Sequence, residues 1–328
     1  MKALSLFSGG LDSQLAVCLI KQQDIEVIGI NFNTPFFGVT NKTLQAAKQL
    51  GIELLTPDIS DIYIPQVLRN PVYGYGKNFN PCIDCHGFML RQAGQMMEDL
   101  GASFLFTGEV VGQRPMSQNK SAMNAVDKLS GQRGYIVRPL CAKLLDPSEP
   151  EKQGWIDREK LLNISGRSRT QQMELAEQFG IIDYPSPAGG CLLTDAGYST
   201  RLRRYFSFIT DPTPAELAII KLGRHFYLNE QLLLIVGRNQ SENNLIEENC
   251  LPGDHLLKVL DRPGPLAMIR SRGEAAWADL EKAAAIVARY SDARDLELAQ
   301  VKLFTPESDN EQVLSVVPMP ADAISFGS

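Results

Sequence analysis

Residues 1–21 read MKALSLFSGGLDSQLAVCLIK, and the middle of that stretch decides the fold. Leu4, Leu6 and Phe7 make a short apolar run, whereas Leu11, Leu15, Ala16 and Leu19 fall at helical spacing. A strand therefore passes into a helix through Ser8-Gly9-Gly10. Adjacent glycines let a backbone approach a ligand closely, and the free amides at a helix start, with the positive end of its dipole, favour an anion. Ser8 and Ser13 add hydroxyls. Asp12 adds a carboxylate that would repel a phosphate unless Mg²⁺ stood between them. The turn is not of the Walker type, because no Gly-Lys-Ser/Thr follows the glycines.

Beyond this turn the first 165 residues alternate strand-like and helix-like segments. IEVIGINF (25–32), IELLTPDI (52–59), ASFLFTGEV (102–110) and GYIVRPLCAKLL (134–145) read as strands, with NKTLQAAKQLG (41–51) and FMLRQAGQMMEDLG (88–101) as helices. That alternation predicts a doubly wound parallel sheet, with ligands beyond the C-terminal strand ends. Asn31, Gly108 within Thr107-Gly108-Glu109, and Arg138 are then expected to face a nucleotide. Met89, Met96 and Met97 read as helix core. The long polar segment between the last two strands carries Arg114 and Lys120, either of which suits a phosphate or plain solvent.

Residues 166–212 read as a helical connector holding Cys191, with Ser165 as a cap for the helix in ISGRSRTQQMELAEQFGI. Residues 213–328 change texture into short alternating strands, RHFYL, QLLLIVG, HLLKVL, PLAMIR, LELAQVKLF and VLSVVPM, with one strong helix in GEAAWADLEKAAAIVARYS. This predicts a smaller α+β domain.

The chain has 328 residues, 44% of them hydrophobic, enough for two cored domains, and a formal net charge of −6. Contact with nucleic acid therefore needs a local basic patch, the densest being Arg201, Arg203 and Arg204. No signal-peptide pattern or long apolar run stands out, so a cytoplasmic protein is expected, its six cysteines free, metal-bound or catalytic.

Cys82 and Cys85 form a CxxC pair placed just before a helix, and Cys191 arrives from a loop containing Pro187, Gly189 and Gly190. Three chemistries suit such a trio. One thiolate can carry a persulfide that another resolves. A zinc ion can bind with His86 or Cys141 as fourth ligand. An iron–sulfur cluster on three thiolates leaves one iron open. Cys18 and Cys250 read as structural.

The segment SGGLDS (8–13) resembles the signature of the PP-loop ATP pyrophosphatases, of adenine nucleotide alpha-hydrolase fold. With NPCIDC (80–85), TGEVVGQRPMSQ (107–118), VRPLCAKLL (137–145) and PAGGCLLT (187–194), the first two thirds of the chain is similar to the tRNA thiouridylase branch, also described as tRNA (5-methylaminomethyl-2-thiouridylate) methyltransferase-like. No glycine fingerprint for a methyl-donor cofactor accompanies it. The resemblance implies ATP held at Ser8, Gly9, Gly10, Asp12 and Ser13 with Mg²⁺, Asn31, Gly108 and Lys143 as further nucleotide contacts, and Lys143 or Arg138 balancing charge on the departing phosphates. It implies tRNA as substrate, adenylation of a base carbonyl, and sulfur delivered at Cys82, Cys85 and Cys191, which match relatives that hold a 4Fe-4S cluster. The sulfur donor is not implied. LIVGRNQSENNLI (234–246) resembles the NFACT RNA-binding domain. Two other functions are compatible with these motifs: a PP-loop ligase of a small molecule with structural zinc, and a non-enzymatic RNA-binding protein.

Overall fold

In a computed structural model the chain divides into two compact units, Met1–Ala196 and Gly197–Ser328. The structure describes residues 1–186, 190–306 and 308–324. The segment 166–212 is thus shared, its first part in one unit and its last in the other.

The first unit runs β1 (Lys2–Leu6), α1 (Leu11–Lys21), β2 (Glu26–Ile30), α2 (Asn41–Gln49), β3 (Glu53–Leu55), α3 (Ser60–Tyr63), α4 (Cys82–Gln95), β4 (Phe104–Thr107), α5 (Lys120–Ser130), β5 (Ile136–Val137), α6 (Glu149–Lys152) and α7 (Thr170–Gln178). The strands form one sheet in the order β3-β2-β1-β4-β5, parallel throughout, with Leu4 paired to Ile28 on one side and Leu105 on the other. Alternation along the strands sends Ala3, Val27, Phe104 and Phe106 to the face covered by Val17 and Ile20 of α1 and Ala46 and Ala47 of α2. Helix α4 packs on β1 and β4, and α5 packs on α4. Fully burying a side chain such as Ile20 or Phe106 contributes roughly 1.5–3 kcal/mol, so two covered faces hold even short strands. This is the doubly wound sheet expected. Strand order reverses between β1 and β4, which puts the ligand crevice of such sheets at the ends of those two strands.

Local departures have local causes. The last strand shrinks to Ile136–Val137, because Arg138 turns inward to acidic partners instead of continuing the ladder. Ser165 does not cap α7. It forms an isolated bridge to Val111, and the helix starts after Arg169. The CxxC pair does not precede its helix but forms the first turn of α4, with Cys82 and Cys85 on one face.

The second unit holds α8 from its second residue (Ala196–Phe208), α9 (Pro214–Ala218), β6 (Arg224–Asn229), β7 (Leu232–Val236), α10 (Gln240–Glu248), β8 (His255–Val259), β9 (Leu266–Ser271), α11 (Trp277–Arg289), β10 (Ala299–Thr305) and β11 (Ser308–Val316). Its sheet, in the order β11-β10-β8-β9-β7-β6, is antiparallel. Leu280, Ala283, Ala284 and Val287 of α11 pack on Phe226, Leu234, Leu257, Ile269 and Val301. This is the smaller α+β domain. Helix α10 lacks the apolar periodicity that would announce it, since only Ile246 is buried, and Asn239 starts it by accepting from the Glu242 amide at 3.0 Å. Among the described residues no helix is long and apolar enough to cross a membrane.

Candidate active site

The turn after β1 is shaped by two close approaches. Gly9 adopts φ +74°, where a side chain is strained, and a Cβ there would stand 2.8 Å from the Thr43 Cα of α2. Gly108, just past β4, lies so near α1 that a Cβ would meet the Asp12 carbonyl and the Ser13 nitrogen at 2.6 Å. Both glycines are set by backbone proximity across the crevice. Helix α1 opens at Gly10 with no side-chain cap, leaving its first amides for an incoming anion.

The hydroxyls of this turn are already oriented. Ser13 Oγ donates to the Gly10 carbonyl at 2.8 Å, and Ser8 Oγ donates to Ser13 Oγ at 3.3 Å while accepting from the Gly10 amide. Gln14 Nε2 donates to the Gly9 carbonyl at 2.9 Å and steadies the turn from below. Asp12 accepts from Gln113 Nε2 at 3.0 Å through Oδ2, and its Oδ1 is buried with no hydrogen-bond partner. A buried carboxylate oxygen without a donor is costly, and a cation bound with nucleotide phosphates would satisfy it. The chemistry of this cradle therefore fits Mg²⁺ and a phosphate chain.

The remaining expected nucleotide contacts separate into three cases. Asn31 stands at the end of β2, its Nδ2 donating to the Phe7 carbonyl at 2.8 Å, so it braces the start of the turn. Lys143 is held by Glu159, donating to its carbonyl at 2.9 Å and to Oε2 at 3.1 Å. Arg138 is 3% exposed and spent inside the protein: Nε donates to Glu109 at 2.9 Å and Nη2 to Asp127 at 2.7 Å. A guanidinium so enclosed does not face solvent-borne phosphates. The expectation that Arg138 points to the nucleotide is corrected on that ground.

The three cysteines do meet. Cys82, Cys85 and Cys191 line one cavity of about 140 Å³ with His86, Asn80 and the apolar Phe37, Tyr63, Met89 and Leu193. Met89, read from the sequence as core, is thus part of this wall. Two backbone ties bring Cys191 here across a long stretch of chain: the Leu192 amide donates to the Phe36 carbonyl at 3.1 Å, and Asn78 Nδ2 donates to the Thr194 carbonyl at 2.6 Å. Asn80 Nδ2 donates to Cys82 Sγ at 3.1 Å. Burial pushes the Cys85 thiol far up and the Cys191 thiol up to about 11. As the cavity stands, both sulfurs are held as thiols. Of their expected neighbours, Gly190 is described, whereas Pro187 and Gly189 lie outside the described residues.

His86, weighed from the sequence only as a zinc ligand, links this cavity to the sheet. Its Nδ1 lies 2.7 Å from Glu109 Oε1, and Glu109 Oε2 accepts from Arg138 and from Thr107 Oγ1. Burial by itself would raise the Glu109 carboxyl. The Arg138 charge and the His86 contact outweigh it and hold the group down at about 2. An ionised Glu109 favours the imidazole tautomer with the proton on Nδ1, so Nε2 is left as the acceptor. Cys141, the other candidate fourth ligand, is buried elsewhere, its Sγ donating to the Glu109 carbonyl at 3.3 Å. Sequence reading missed Glu109 as the anchor. Its position directly after Gly108 was the available signal.

The donor set, three thiols beside an imidazole in a largely apolar wall, suits a thiolate-bound centre in kind. Among the described residues no three His, Cys, Asp or Glu side chains stand close enough together to hold a metal ion. The arginines of α8 belong to the second unit. Arg201 donates to the Gly223 carbonyl at 3.4 Å, Arg204 stacks over Tyr227 at 4.9 Å, and Arg203 is exposed.

Comparison with known proteins agrees with the two resemblances read from the sequence. Residues 1–145 match the family model of the tRNA methyl transferase HUP domain, and residues 223–326 match that of the NFACT protein RNA binding domain. The tRNA-specific 2-thiouridylase MnmA of Dehalococcoides mccartyi is 31% identical over 116 residues, 31% of this chain and 32% of that protein. MnmA 2 of a Thermoanaerobacter species is 26% identical over 223 residues, 60% of this chain and 57% of that protein. The chain therefore spans between a third and somewhat over half the length of these relatives. A solved 4-thiouridine synthetase–RNA complex with bound ATP aligns with a TM-score of 0.39 at 21% identity, over 55% of this chain and 41% of that one.

Proposed function

We propose that this chain, with a PP-loop domain followed by an NFACT-type domain, is an ATP-dependent tRNA sulfurtransferase. The observation that carries the reading is the dipeptide Gly108-Glu109. Gly108 packs on the phosphate turn at Asp12, and Glu109 holds His86 in the cysteine cavity, so one strand end serves a nucleotide site and a sulfur site. An enzyme that only hydrolyses ATP has no use for the second.

In the reaction, the carbonyl oxygen of a tRNA base attacks the α-phosphorus of ATP and pyrophosphate leaves, giving an adenylated base. The amides at the start of α1 and the Ser8 and Ser13 hydroxyls bind the departing pyrophosphate, and Asp12 would hold a Mg²⁺ ion, which when bound would supply charge neutralisation for the phosphates. A sulfur nucleophile then adds at the activated carbon and AMP departs with the original oxygen. Cys82, Cys85 and Cys191 would hold a 4Fe-4S cluster, which when bound offers an iron site for the incoming sulfur. The largely apolar wall of Phe37, Tyr63, Met89 and Leu193 keeps water from competing for the activated carbon. A second reading, a small-molecule ligase with structural zinc, would require His86 and the three thiols to close on an ion that, as they stand, they are too far apart to hold.

Anaerobically purified protein incubated with ATP, Mg²⁺, sulfide and unmodified tRNA tests both. AMP and pyrophosphate formed in step with a thiolated nucleoside are expected, from brown protein carrying iron. Release of ADP and phosphate would refute the proposal. Colourless protein with one zinc per chain, and no thiolated nucleoside, would favour the ligase.

A further inference from the structure

The segment from Arg69 to Phe79, RNPVYGYGKNF, joins the helical residues 64–68 after α3 to the NPCIDC stretch and lies outside every motif discussed above. It contains no acidic residue, while Arg69 and Lys77 bracket two tyrosines and a valine. Such a loop ordinarily hides its apolar groups. Here Val72 is 75% exposed, Tyr73 45% and Tyr75 38%, and Lys77 is exposed too.

The loop is nevertheless firmly built, and built onto the cysteine site. Asp84, buried between Cys82 and Cys85, accepts from the Val72 amide at 2.6 Å and the Tyr73 amide at 3.0 Å. Tyr75 donates its hydroxyl to the Leu68 carbonyl at 2.6 Å and stacks on Phe79, ring centres 4.5 Å apart at 20°. The same loop continues into Asn78, which holds the segment after Cys191, and Asn80, which donates to Cys82. Tyr73 and Tyr75 are thus presented to solvent at a fixed offset from the sulfur cavity.

We infer that residues 69–79 form a stacking platform for nucleotides of the RNA flanking the target base. The inference rests on the sulfurtransferase reading and specifies how its substrate is held. Exposed rings beside an exposed lysine, with the Asp84 carboxylate buried and taken up by two backbone amides, match unstacked bases joined by phosphates. A base can extend the Tyr75–Phe79 stack, and Lys77 meets the phosphate beside it. A nucleotide whose carbonyl must enter a cavity of about 140 Å³ has to leave its helical stack, and its neighbours then need new surfaces to lie on.

The test compares wild type, Tyr73→Ala/Tyr75→Ala and Tyr73→Phe/Tyr75→Phe in the full chain. Binding of fluorescent tRNA and of a single-stranded oligoribonucleotide is read by anisotropy, with ultraviolet cross-links mapped by mass spectrometry. ATP affinity serves as the control for folding. The alanine pair should lose about tenfold in oligoribonucleotide affinity and the cross-links within residues 72–79, with ATP binding unchanged. The phenylalanine pair should keep most of the affinity that the alanine pair loses, since stacking needs the ring, and what it gives up is the Tyr75 hydroxyl's bond to the Leu68 carbonyl. If wild type binds RNA and the alanine pair binds it equally well, the platform is refuted and the sulfurtransferase reading stands. If wild type binds neither RNA, both fall. If the alanine pair keeps RNA affinity but loses binding to a persulfide-bearing donor protein, the platform is also refuted and the surface belongs to that protein.

Discussion

The phosphate turn and the cysteine cavity sit at the ends of neighbouring strands but are made in different ways. The turn is nearly contiguous: Ser8 to Gln14 supply its glycines, hydroxyls, carboxylate and brace, with Asn31, Thr43, Gly108, Gln113 and Asp183 approaching from elsewhere. The cavity draws on the loop after β2, α3, the start of α4 and the segment around Cys191. A local site is specified by backbone geometry. A composite site depends on distant segments being tied together, here by Asn78, Asn80 and Glu109. Substitutions in the turn should therefore change ATP handling, and substitutions around the cavity should separate sulfur transfer from it.

The largest expected effect is at the turn. Asp12→Asn keeps the Gln113 contact but removes the charge proposed to hold Mg²⁺, and pyrophosphate formation should fall by roughly 100-fold or more, read with saturating tRNA. Next comes Cys191→Ser, which should abolish the thiolated nucleoside while leaving ATP affinity within about twofold. A parallel loss of ATP binding would break the separation between the two sites.

The tie between them can be probed through stability. Glu109→Gln leaves Arg138 with Asp127 alone and should cost roughly 3 kcal/mol in urea unfolding near neutral pH, as removal of one partner from a buried pair does. The pH dependence follows from the sign of the shift. A carboxyl held at about 2 instead of 4.5 contributes its full stability above pH 4.5 and loses it as pH falls towards 2. Wild type should thus lose roughly 3 kcal/mol more than Glu109→Gln across that window, measured as the difference in their unfolding free energies. Equal pH profiles would mean that Glu109 is not held ionised by its partners. The smallest effect is at Tyr63, fully buried with its hydroxyl against the Cys85 thiol. Tyr63→Phe should change the unfolding free energy by no more than about 1 kcal/mol, because the ring stays packed and a thiol is a weak hydrogen-bond partner.

Much of the fold was legible because its cause is periodicity. The alternation of two-residue and 3.6-residue patterns in residues 1–145 and the short strands beyond Arg224 correspond to the two sheets observed. Helix α10 was not legible, because a cap and a single buried isoleucine hold it. Arg138 looked like a site residue because it follows a strand. Its role turned on Glu109 and Asp127, which are distant in sequence.

What the sequence determined by itself was the chemistry available: a glycine turn at a helix start with two hydroxyls and a carboxylate beside it, and a CxxC pair with a third thiol further on. Those follow from local backbone sterics and from residue type. Only the tertiary structure decided which groups share a surface. It put Cys191 with Cys82 and Cys85, turned Arg138 inward, set His86 on Glu109 and left Tyr73 and Tyr75 facing solvent. Each of these is fixed by hydrogen bonds and burial between segments whose separation along the chain carries no local signal.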